Sequence, residues 1–227
     1  TAGNNPGNTS ELASRETGFT QNEVSLAWCG STVLMAFNDT GSPYEQYQTN
    51  NNYYLTSLVG MAKSSNSGLT FSDLKFLPSY PAPVGKPTYF LLGDPVVACA
   101  NANTFYVASL GVGVTSQSAF TSEISVSNSS NMTNGTPIFG GPVTAVAKSG
   151  LTHFLDKEWL AVDPTTANTT NKKIYVSYTD FDTSLNNGCQ SGIDKTRYAI
   201  EVVSSTNGGS TWQSQPKVLR QFCGDNG

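Results

Sequence analysis

The sequence predicts an all-β fold made of about three repeated units, each of four antiparallel strands. Two recurring patterns indicate this fold: a turn motif rich in small polar residues, and a pair of strands that precedes each copy of the motif. A third observation agrees with them, because no segment keeps a helical spacing of apolar residues over three turns. The chain has 227 residues, which is enough for one large all-β domain.

The turn motif is clearest at residues 64–71 and 205–212, which both read Ser-x-Asn-x-Gly-x-Thr followed by an aromatic residue. The Asn, Ser and Thr side chains can bond backbone groups of their own turn, and Gly supplies a positive φ. The aromatic ring is expected to pack onto the strands beneath. We therefore predict a structural role, not ligand contact, for ten residues: Ser64, Asn66, Gly68, Thr70, Phe71, Ser205, Asn207, Gly209, Thr211 and Trp212.

A weaker copy of the motif occupies residues 127–134, and Asn131 is expected to take there the left-handed conformation that Gly takes elsewhere. The strand pairs recur with the motif. Each consists of an apolar strand, a polar turn and a strand of alternating apolar and small residues, at residues 22–39, 94–110 and 157–181. Leu26, Val97 and Leu160 superpose at intervals of 71 and 63 residues.

These patterns together define the predicted organisation of the chain. A single domain over residues 1–227 has an arm at 1–21 and repeated units at about 22–80, 92–148 and 156–222. In the third unit the strands are expected at 158–163, 173–180, 197–204 and 211–219.

The two clear turn motifs match the Asp-box, also called the bacterial neuraminidase repeat. The strings DKEWLAVDP and GDPVVA resemble those of secreted bacterial proteins built from such repeats. The resemblance covers about residues 22–220 and implies a sialidase-like β-propeller with four-stranded blades. Propellers typically have 4–8 blades, and three are counted here. Either the chain is part of a longer protein, or copies of it associate to complete or extend the propeller.

The sequence departs from the enzymes of this family. The resemblance implies that catalysis in sialidases needs three arginines that hold a substrate carboxylate, an Asp that acts as acid/base, and a Tyr–Glu pair that acts as nucleophile. The chain has only Arg15, Arg197 and Arg220, and none lies in an Arg-Ile-Pro context. This absence argues against sialidase activity, although the box itself occurs in enzymes and non-enzymes alike.

Four acids remain as candidates for catalysis with paired carboxylates. They lie where first strands begin, the end that tends to line the centre of a propeller: Glu23, Asp94, Asp156 and Glu158. The alternative is that they cap turns or are solvated. The single histidine, His153, is interpreted as a surface or hydrogen-bonded residue. No metal or other cofactor is predicted, because Asp163, Asp180 and Asp182 lack the spacing of a calcium loop and give only a weak calcium signal.

The four cysteines bear on the compartment of the protein. We expect a disulfide between Cys189 and Cys223, which flank one predicted strand–turn–strand unit, and interpret Cys29 and Cys99 as small buried hydrophobes. Candidate glycosylation sequons agree with an extracellular location: Asn8, Asn38, Asn128, Asn131, Asn134 and Asn168. A net charge of −4 without a basic run argues against binding nucleic acid, and no apolar stretch is long enough to span a membrane.

The sequence thus predicts a secreted or cell-surface, non-catalytic propeller that acts in adhesion, recognition or extracellular assembly. Its ligand would be a protein or a carbohydrate. The alternative is a glycoside hydrolase of sialidase-like fold whose active site is incomplete within this chain.

Overall fold

Three β-sheets follow one another along the chain, which confirms the predicted all-β class. The computed structural model describes residues 20–43, 56–79, 88–116, 119–133, 137–165, 171–189 and 196–224. The predicted arm at 1–21, apart from its last two residues, and the candidate sequons Asn8, Asn134 and Asn168 lie outside this described part, as does Arg15. Among the described residues, no helix is long and apolar enough to cross a lipid bilayer.

Sheet 1 contains four antiparallel strands in the order β1-β2-β4-β5. Their bounds are β1 Gln21–Cys29, β2 Thr32–Asp39, β4 Val59–Ser64 and β5 Ser72–Phe76. Sheet 3 has its four antiparallel strands in chain order, namely β11 His153–Val162, β12 Ile174–Asp182, β13 Thr196–Ser205 and β14 Lys217–Gly224. Both sheets therefore have the four-stranded, sequential plan that the repeat predicts.

Sheet 2 lies between the other two along the chain and has the order β10-β8-β7-β6-β3, with the short strand β9 paired to β8. The strands are β3 Thr56–Ser57, β6 Thr88–Asn101, β7 Thr104–Ser116, β8 Ala119–Ser130, β9 Ile138–Phe139 and β10 Val143–Ser149. The two-residue strand β3 pairs with β6 in parallel, and the other pairs are antiparallel.

The fourth predicted strand of the third unit is misplaced by six residues. The sequence analysis begins it at residue 211, whereas β14 begins at Lys217. Thr211 is still held by the turn motif, because its amide donates to Asn207 Oδ1 at 2.9 Å. The amide of Gln213 then donates to the carbonyl of Ser204 at 3.0 Å, and Pro216 has no amide to give to a strand ladder.

Two apolar cores lie between the sheets. Sheets 1 and 2 enclose Leu34, Ala36, Val59, Met61, Leu77, Leu91, Val97, Phe105, Val107 and Met132. Sheets 2 and 3 enclose a second core with Tyr106, Ile124, Val126, Leu160, Ile174, Val176 and Tyr178 among its members. Sheet 2 is therefore covered on both faces, in agreement with the near-continuous apolar and small residues of β6 and β7.

The two turn motifs have the same hydrogen bonds. Ser64 Oγ donates to Asn66 Oδ1 at 2.8 Å, and Ser205 Oγ to Asn207 Oδ1 at 2.9 Å. In each turn the Asn side-chain amide donates to the Thr hydroxyl at 2.8 Å, and the Gly amide donates to the Ser hydroxyl at 2.9 Å. These bonds close each turn locally, so the motif keeps one conformation in two different surroundings.

Backbone angles and aromatic packing agree with the roles predicted for the motif. The φ values are 87° at Gly68 and 84° at Gly209, and Asn131 in the weaker copy has a φ of 59°. Trp212 is half-buried and packs against the core between sheets 2 and 3, while Phe71 is half-buried beside β5. At this position of the motif the three turns use glycine or asparagine, while Ser67, one residue earlier in the first turn, has a φ of 59°.

Two disulfides connect the described cysteines. Cys189 and Cys223, with Cα atoms 5.7 Å apart, form the expected bond within sheet 3. The interpretation of Cys29 and Cys99 as isolated buried hydrophobes is wrong, because they form a second disulfide and neither side chain is fully buried. This bond joins β1 to β6, so it connects the first strands of sheets 1 and 2. Two such bonds are typical of proteins from an oxidising environment.

Candidate functional site

The first strands of the three sheets lie next to one another, with β6 in contact with both β1 and β11. Polar bonds reinforce the first contact, because the amide of Val97 in β6 donates to Ser25 Oγ in β1 at 3.0 Å. The contact between sheets 2 and 3 has a similar bond, from the amide of Leu155 to Ser122 Oγ at 2.9 Å. Side chains near the start of each first strand are therefore brought together.

A β-bulge interrupts each first strand at the same place in the repeat. Register shifts occur between Asn22 and Ser25, between Gly93 and Val96, and between Asp156 and Trp159. Within these bulges, Glu23, Asp94 and Lys157 have φ values of 51°, 50° and 56°. The three residues are separated by the same 71 and 63 positions that relate the repeated units.

Left-handed backbone at residues with large side chains is uncommon, and it is often found at functional sites. A bulge also redirects the side chain of the extra residue. The side chains of Glu23, Asp94 and Lys157 are thus oriented by the same β-bulge in each sheet. We therefore treat the start of each first strand as a candidate site.

Glu23 and Asp94 form a carboxyl–carboxyl pair. The hydrogen bond with Asp94, and then the charge of Asp94, raise the pKa of Glu23 above its usual value although Glu23 is exposed. Repulsion between the two charges favours the protonated form of Glu23. The charge of Lys157 offsets a part of this effect.

Asn38 of sheet 1 fixes the position of Asp94. The Asn38 side-chain amide donates to Asp94 Oδ1 at 3.0 Å, and Asn38 Oδ1 accepts from the amide of Asp94 at 2.6 Å. The preceding residue, Gly93, has a φ of 125°, and a Cβ added there would overlap the Asn38 side chain. Asn38 is one of the candidate sequons, and here its amide serves to hold an acid of the site.

Glu158 is the most perturbed acid of the site. Its side chain is only 4% exposed, and neither carboxyl oxygen has a hydrogen-bond partner among the described residues. Burial raises the pKa of Glu158 to about 8, with the charges of Asp94 and Asp156 adding to the effect. The nearby amides of Glu158 and Leu110 offset only a part of it. Glu158 is therefore largely protonated at neutral pH.

These side chains line a cleft of about 490 Å³, which we call the central cleft. Its walls also contain Trp159, which is 67% exposed, and the apolar side chains of Val24 and Leu26. Asp156 lies on the same strand and pairs with Lys157, whose Nζ is 3.7 Å from Asp156 Oδ2. Of the four acids selected from the sequence, the structure places Glu23, Asp94 and Glu158 in the cleft wall and Asp156 close enough to influence two of them.

A second polar cluster lies between sheets 2 and 3, away from the central cleft. Lys148 Nζ of β10 is 2.7 Å from Asp180 Oδ2 and 2.6 Å from Glu201 Oε2. Arg197 Nη2 is 3.1 Å from Asp180 Oδ2, and its Nε is 3.2 Å from Asp182 Oδ2. We call these five residues the paired cluster.

Two further side chains complete the paired cluster. His153 Nδ1 is 2.9 Å from Asp180 Oδ1, and the hydroxyl of Tyr178 donates to Glu201 Oε2 at 2.8 Å. His153, Asp180 and Asp182 are close enough to hold a metal ion, but Lys148 and Arg197 already neutralise these acids. Asp163 lies apart from them, where its carboxylate accepts from the amide and hydroxyl of Thr165, which lowers its pKa.

The paired cluster cannot be foreseen from the sequence. There Arg197 is only one of three arginines that lack the context of a sialidase clamp, whereas in the structure it contacts two aspartates. The usable signal is weak: Asp180, Asp182, Arg197 and Glu201 recur at alternate positions on strands that are predicted to pair. Lys148 comes from another sheet, so its contribution has no local signature.

Comparisons with known proteins add little to this description. No protein-family model matches the sequence, and no curated protein matches it. A solved structure described as a GH62 hydrolase in complex with xylotriose aligns with a TM-score of 0.42 and 10% identity. The alignment covers 89% of this chain and 52% of that chain, so the chain spans about half the length of the hydrolase. A similarity of this size carries no conclusion about activity.

Proposed function

We propose that this chain is part of a sialidase-like β-propeller, secreted or at the cell surface, that recognises carbohydrate in its central cleft without hydrolysing it. One observation carries the proposal. The exposed ring of Trp159 and the carboxyl pair of Glu23 and Asp94 share the wall of one cleft. An aromatic face packs on the apolar side of a sugar, and carboxyl groups bond its hydroxyls.

Several features support the propeller assignment. Three sheets of sequential strands stack face to face, their first strands lie together, and turns of the Asp-box type connect the last two strands in sheets 1 and 3. The disulfides favour the extracellular location.

The geometry of the carboxyl groups favours binding over hydrolysis. A retaining glycosidase needs its two carboxyl groups about 5 Å apart, and an inverting one needs about 6.5–9.5 Å. Glu158, the acid whose raised pKa would suit a general acid, has both carboxyl oxygens buried away from a substrate. A sialidase-type arginine clamp is also disfavoured, because Arg197 is engaged by Asp180 and Asp182 and Arg220 lies in β14 of sheet 3.

Binding to an immobilised glycan array, followed by calorimetry with each hit, tests the proposal. We expect Trp159→Ala to weaken binding by about tenfold or more, since stacking on aromatic rings contributes on the order of 1–2 kcal/mol. Leu69→Ala is the control, because Leu69 is 79% exposed but lies in the turn motif at residues 64–71, outside the cleft. Equal loss in the two variants, or binding that does not depend on Trp159, would refute recognition in this cleft.

A second candidate function, glycoside hydrolysis, is favoured by Glu158. A general acid must be protonated at the working pH, and the pKa of Glu158 is raised to about 8 near the charge of Asp94. It ranks second because both carboxyl oxygens of Glu158 are buried. Release of reducing ends from a panel of glycans separates the two functions. Turnover that falls at least about a hundredfold in Glu158→Gln or Asp94→Asn would establish the hydrolase and overturn the non-catalytic proposal.

A further inference from the structure

Sheet 3 has one face that none of the other described sheets covers. Four aromatic side chains form a row across its four strands: Phe154, Phe181, Tyr198 and Phe222. The centroids of successive rings are 6.1, 5.2 and 5.1 Å apart. Tyr175 and Ile200 extend the row, and we call these six residues the open face. Apolar patches of this kind usually mark a surface that another molecule covers.

The internal repeat shows what kind of surface fits the open face. Tyr175 of β12 has equivalent residues in the other sheets, because each pairs with a corresponding alanine of the first strand: Tyr175 with Ala161, Tyr106 with Ala98, and Leu34 with Ala27. Tyr106 is 1% and Leu34 0% exposed, since the next sheet packs on each of them. Tyr175 is 42% exposed. The same face is thus covered in sheets 1 and 2 and uncovered in sheet 3.

Sheet 1 presents the complementary face. Leu26 of β1 is equivalent to Val97 and Leu160, which are buried at 7% and 4% against the preceding sheet. Leu26 itself is 59% exposed, and Val24 and Trp28 lie beside it on the same side of β1 with exposures of 60% and 66%. The chain therefore carries one uncovered face of each kind, and the two kinds pack together at both interfaces between its own sheets.

We propose that the open face of sheet 3 binds sheet 1 of a second copy of this chain, so that two copies close into one ring of six sheets. Because the joint is head-to-tail, a two-fold arrangement forms it twice, and six sheets fall within the size range of closed propellers. The joint would also cover Val24, Leu26 and Trp159 in the wall of the central cleft, because Val96, the equivalent of Trp159, is 8% exposed between sheets 2 and 3. Ring closure and carbohydrate binding at Trp159 therefore compete. The inference concerns assembly and does not rest on carbohydrate binding.

The mass of the full chain in solution tests this assembly directly. We expect light scattering and sedimentation equilibrium to give twice the monomer mass of 24.1 kDa. A monomer at concentrations of about 50 µM would overturn the proposal, since a stable homodimer interface holds at that level. A mass that keeps growing with concentration would overturn it as well, because an open head-to-tail chain does not close.

Variants on the two faces test which surfaces meet. Ile200→Asp places a charge on the open face, and Trp28→Glu places one on sheet 1. Each is expected to raise the dimer dissociation constant by about tenfold or more. Leu185→Asp is the matched control, because Leu185 is fully exposed in the turn after β12 and lies on neither face. A dimer that one or both face variants leave intact would refute the head-to-tail joint.

A mixture of the two variants sharpens the result. An Ile200→Asp copy keeps an intact sheet 1, and a Trp28→Glu copy keeps an intact open face, so the mixture can form one of the two joints. In an equimolar mixture we expect mixed dimers to exceed the twofold statistical excess over either homodimer, and a 1:2:1 distribution would refute the pairing of unlike faces. If Ile200→Asp loses its near-ultraviolet circular dichroism, Thr179→Lys replaces it, because Thr179 pairs with Ile200 at a half-exposed position of the same sheet.

Discussion

The paired cluster and the central cleft each gather three acids, but only one of them matches the acids with cations. Asp180, Asp182 and Glu201 contact Lys148 and Arg197 at 2.6–3.2 Å. In the cleft, Glu23 and Asp94 bond to each other, and Glu158 has no hydrogen-bond partner among the described residues. The acids of the paired cluster are therefore neutralised by neighbouring cations, and Lys148 links sheet 2 to sheet 3 through these ion pairs.

This difference indicates which group serves the fold and which is free to serve a ligand. A buried acid with cations around it gains nothing from a ligand, and removing a cation leaves it unpaired. Two carboxyl groups that repel each other and a buried acid without partners both lower the stability of the folded chain. Polar groups kept at such a cost are typical of binding and catalytic sites.

The largest expected effect is at the paired cluster. Lys148→Met removes the cation that bridges Asp180 and Glu201, whose side chains are 0% and 3% exposed. We expect the free energy of unfolding to fall by about 3–5 kcal/mol, because a buried pair is broken on one side only. Denaturant unfolding measures the change.

The control for this variant is Lys157→Met, which removes an ion pair whose lysine side chain is 69% exposed. It should change the free energy of unfolding by less than about 1 kcal/mol. Comparable losses in the two variants would show that the paired cluster is not what joins the sheets.

The next largest effect is the contribution of Glu158 to stability, which changes with pH. The pKa of Glu158 is about 8 in the folded chain against 4.5 as its usual value, so the folded chain binds more protons between these values. Its stability therefore falls as the pH rises from about 4.5 through about 8. Glu158→Gln removes this loss, so its stability relative to the wild type should rise between pH 5 and pH 8.5 by up to roughly 4 kcal/mol.

Unfolding curves of both proteins at several pH values measure this slope. Glu123→Gln is the control, because burial raises the pKa of Glu123 too, but hydrogen bonds from Thr121 and Thr144 offset a part of this rise. We expect a weaker dependence on pH there. A relative stability of Glu158→Gln that is flat with pH would mean that Glu158 is ionised in the folded chain.

The smallest effect concerns the carboxyl pair and is a change in titration. Asp94→Asn removes the charge that raises the pKa of Glu23, so this pKa should fall back toward its usual value. Carbon-13 NMR of the Glu23 carboxyl group follows it. Asp156→Asn should lower the pKa of Glu23 less, because Asp156 is the weakest of its recorded influences. An unchanged pKa of Glu23 in Asp94→Asn would contradict the influence of Asp94 on Glu23.

Sequence reasoning reached the elements that depend on local or repeated patterns. The intervals between Leu26, Val97 and Leu160 also relate the three left-handed residues of the bulges, although no single segment reveals a bulge. The left-handed Asn131 follows from the turn motif in the same way. The structure brings Glu23, Asp94 and Glu158 together because equivalent ends of stacked sheets lie side by side.

The features that were not predicted are contacts between sheets. One of them, the disulfide between Cys29 and Cys99, has a signal in the sequence, because the two cysteines occupy nearly equivalent positions of the repeat. Such positions lie next to each other only once the first strands of neighbouring sheets are packed together. The ion pairs of Lys148 join β10 to another sheet and need the packing angle of the two sheets. The burial of Glu158 likewise follows from β6 and β7 packing over β11.

The disulfides also determine how the chain would respond to mechanical tension. Pulling on the two ends of an unbridged chain can extend every residue by up to about 3.5 Å. The bonds Cys29–Cys99 and Cys189–Cys223 bridge segments of 70 and 34 residue steps, so strands β2 to β6 and the last two strands of sheet 3 carry almost no force. Strand β1 and strands β7 to β12 are left to extend. Single-molecule traces should therefore lengthen by roughly 360 Å when a reducing agent opens both bonds.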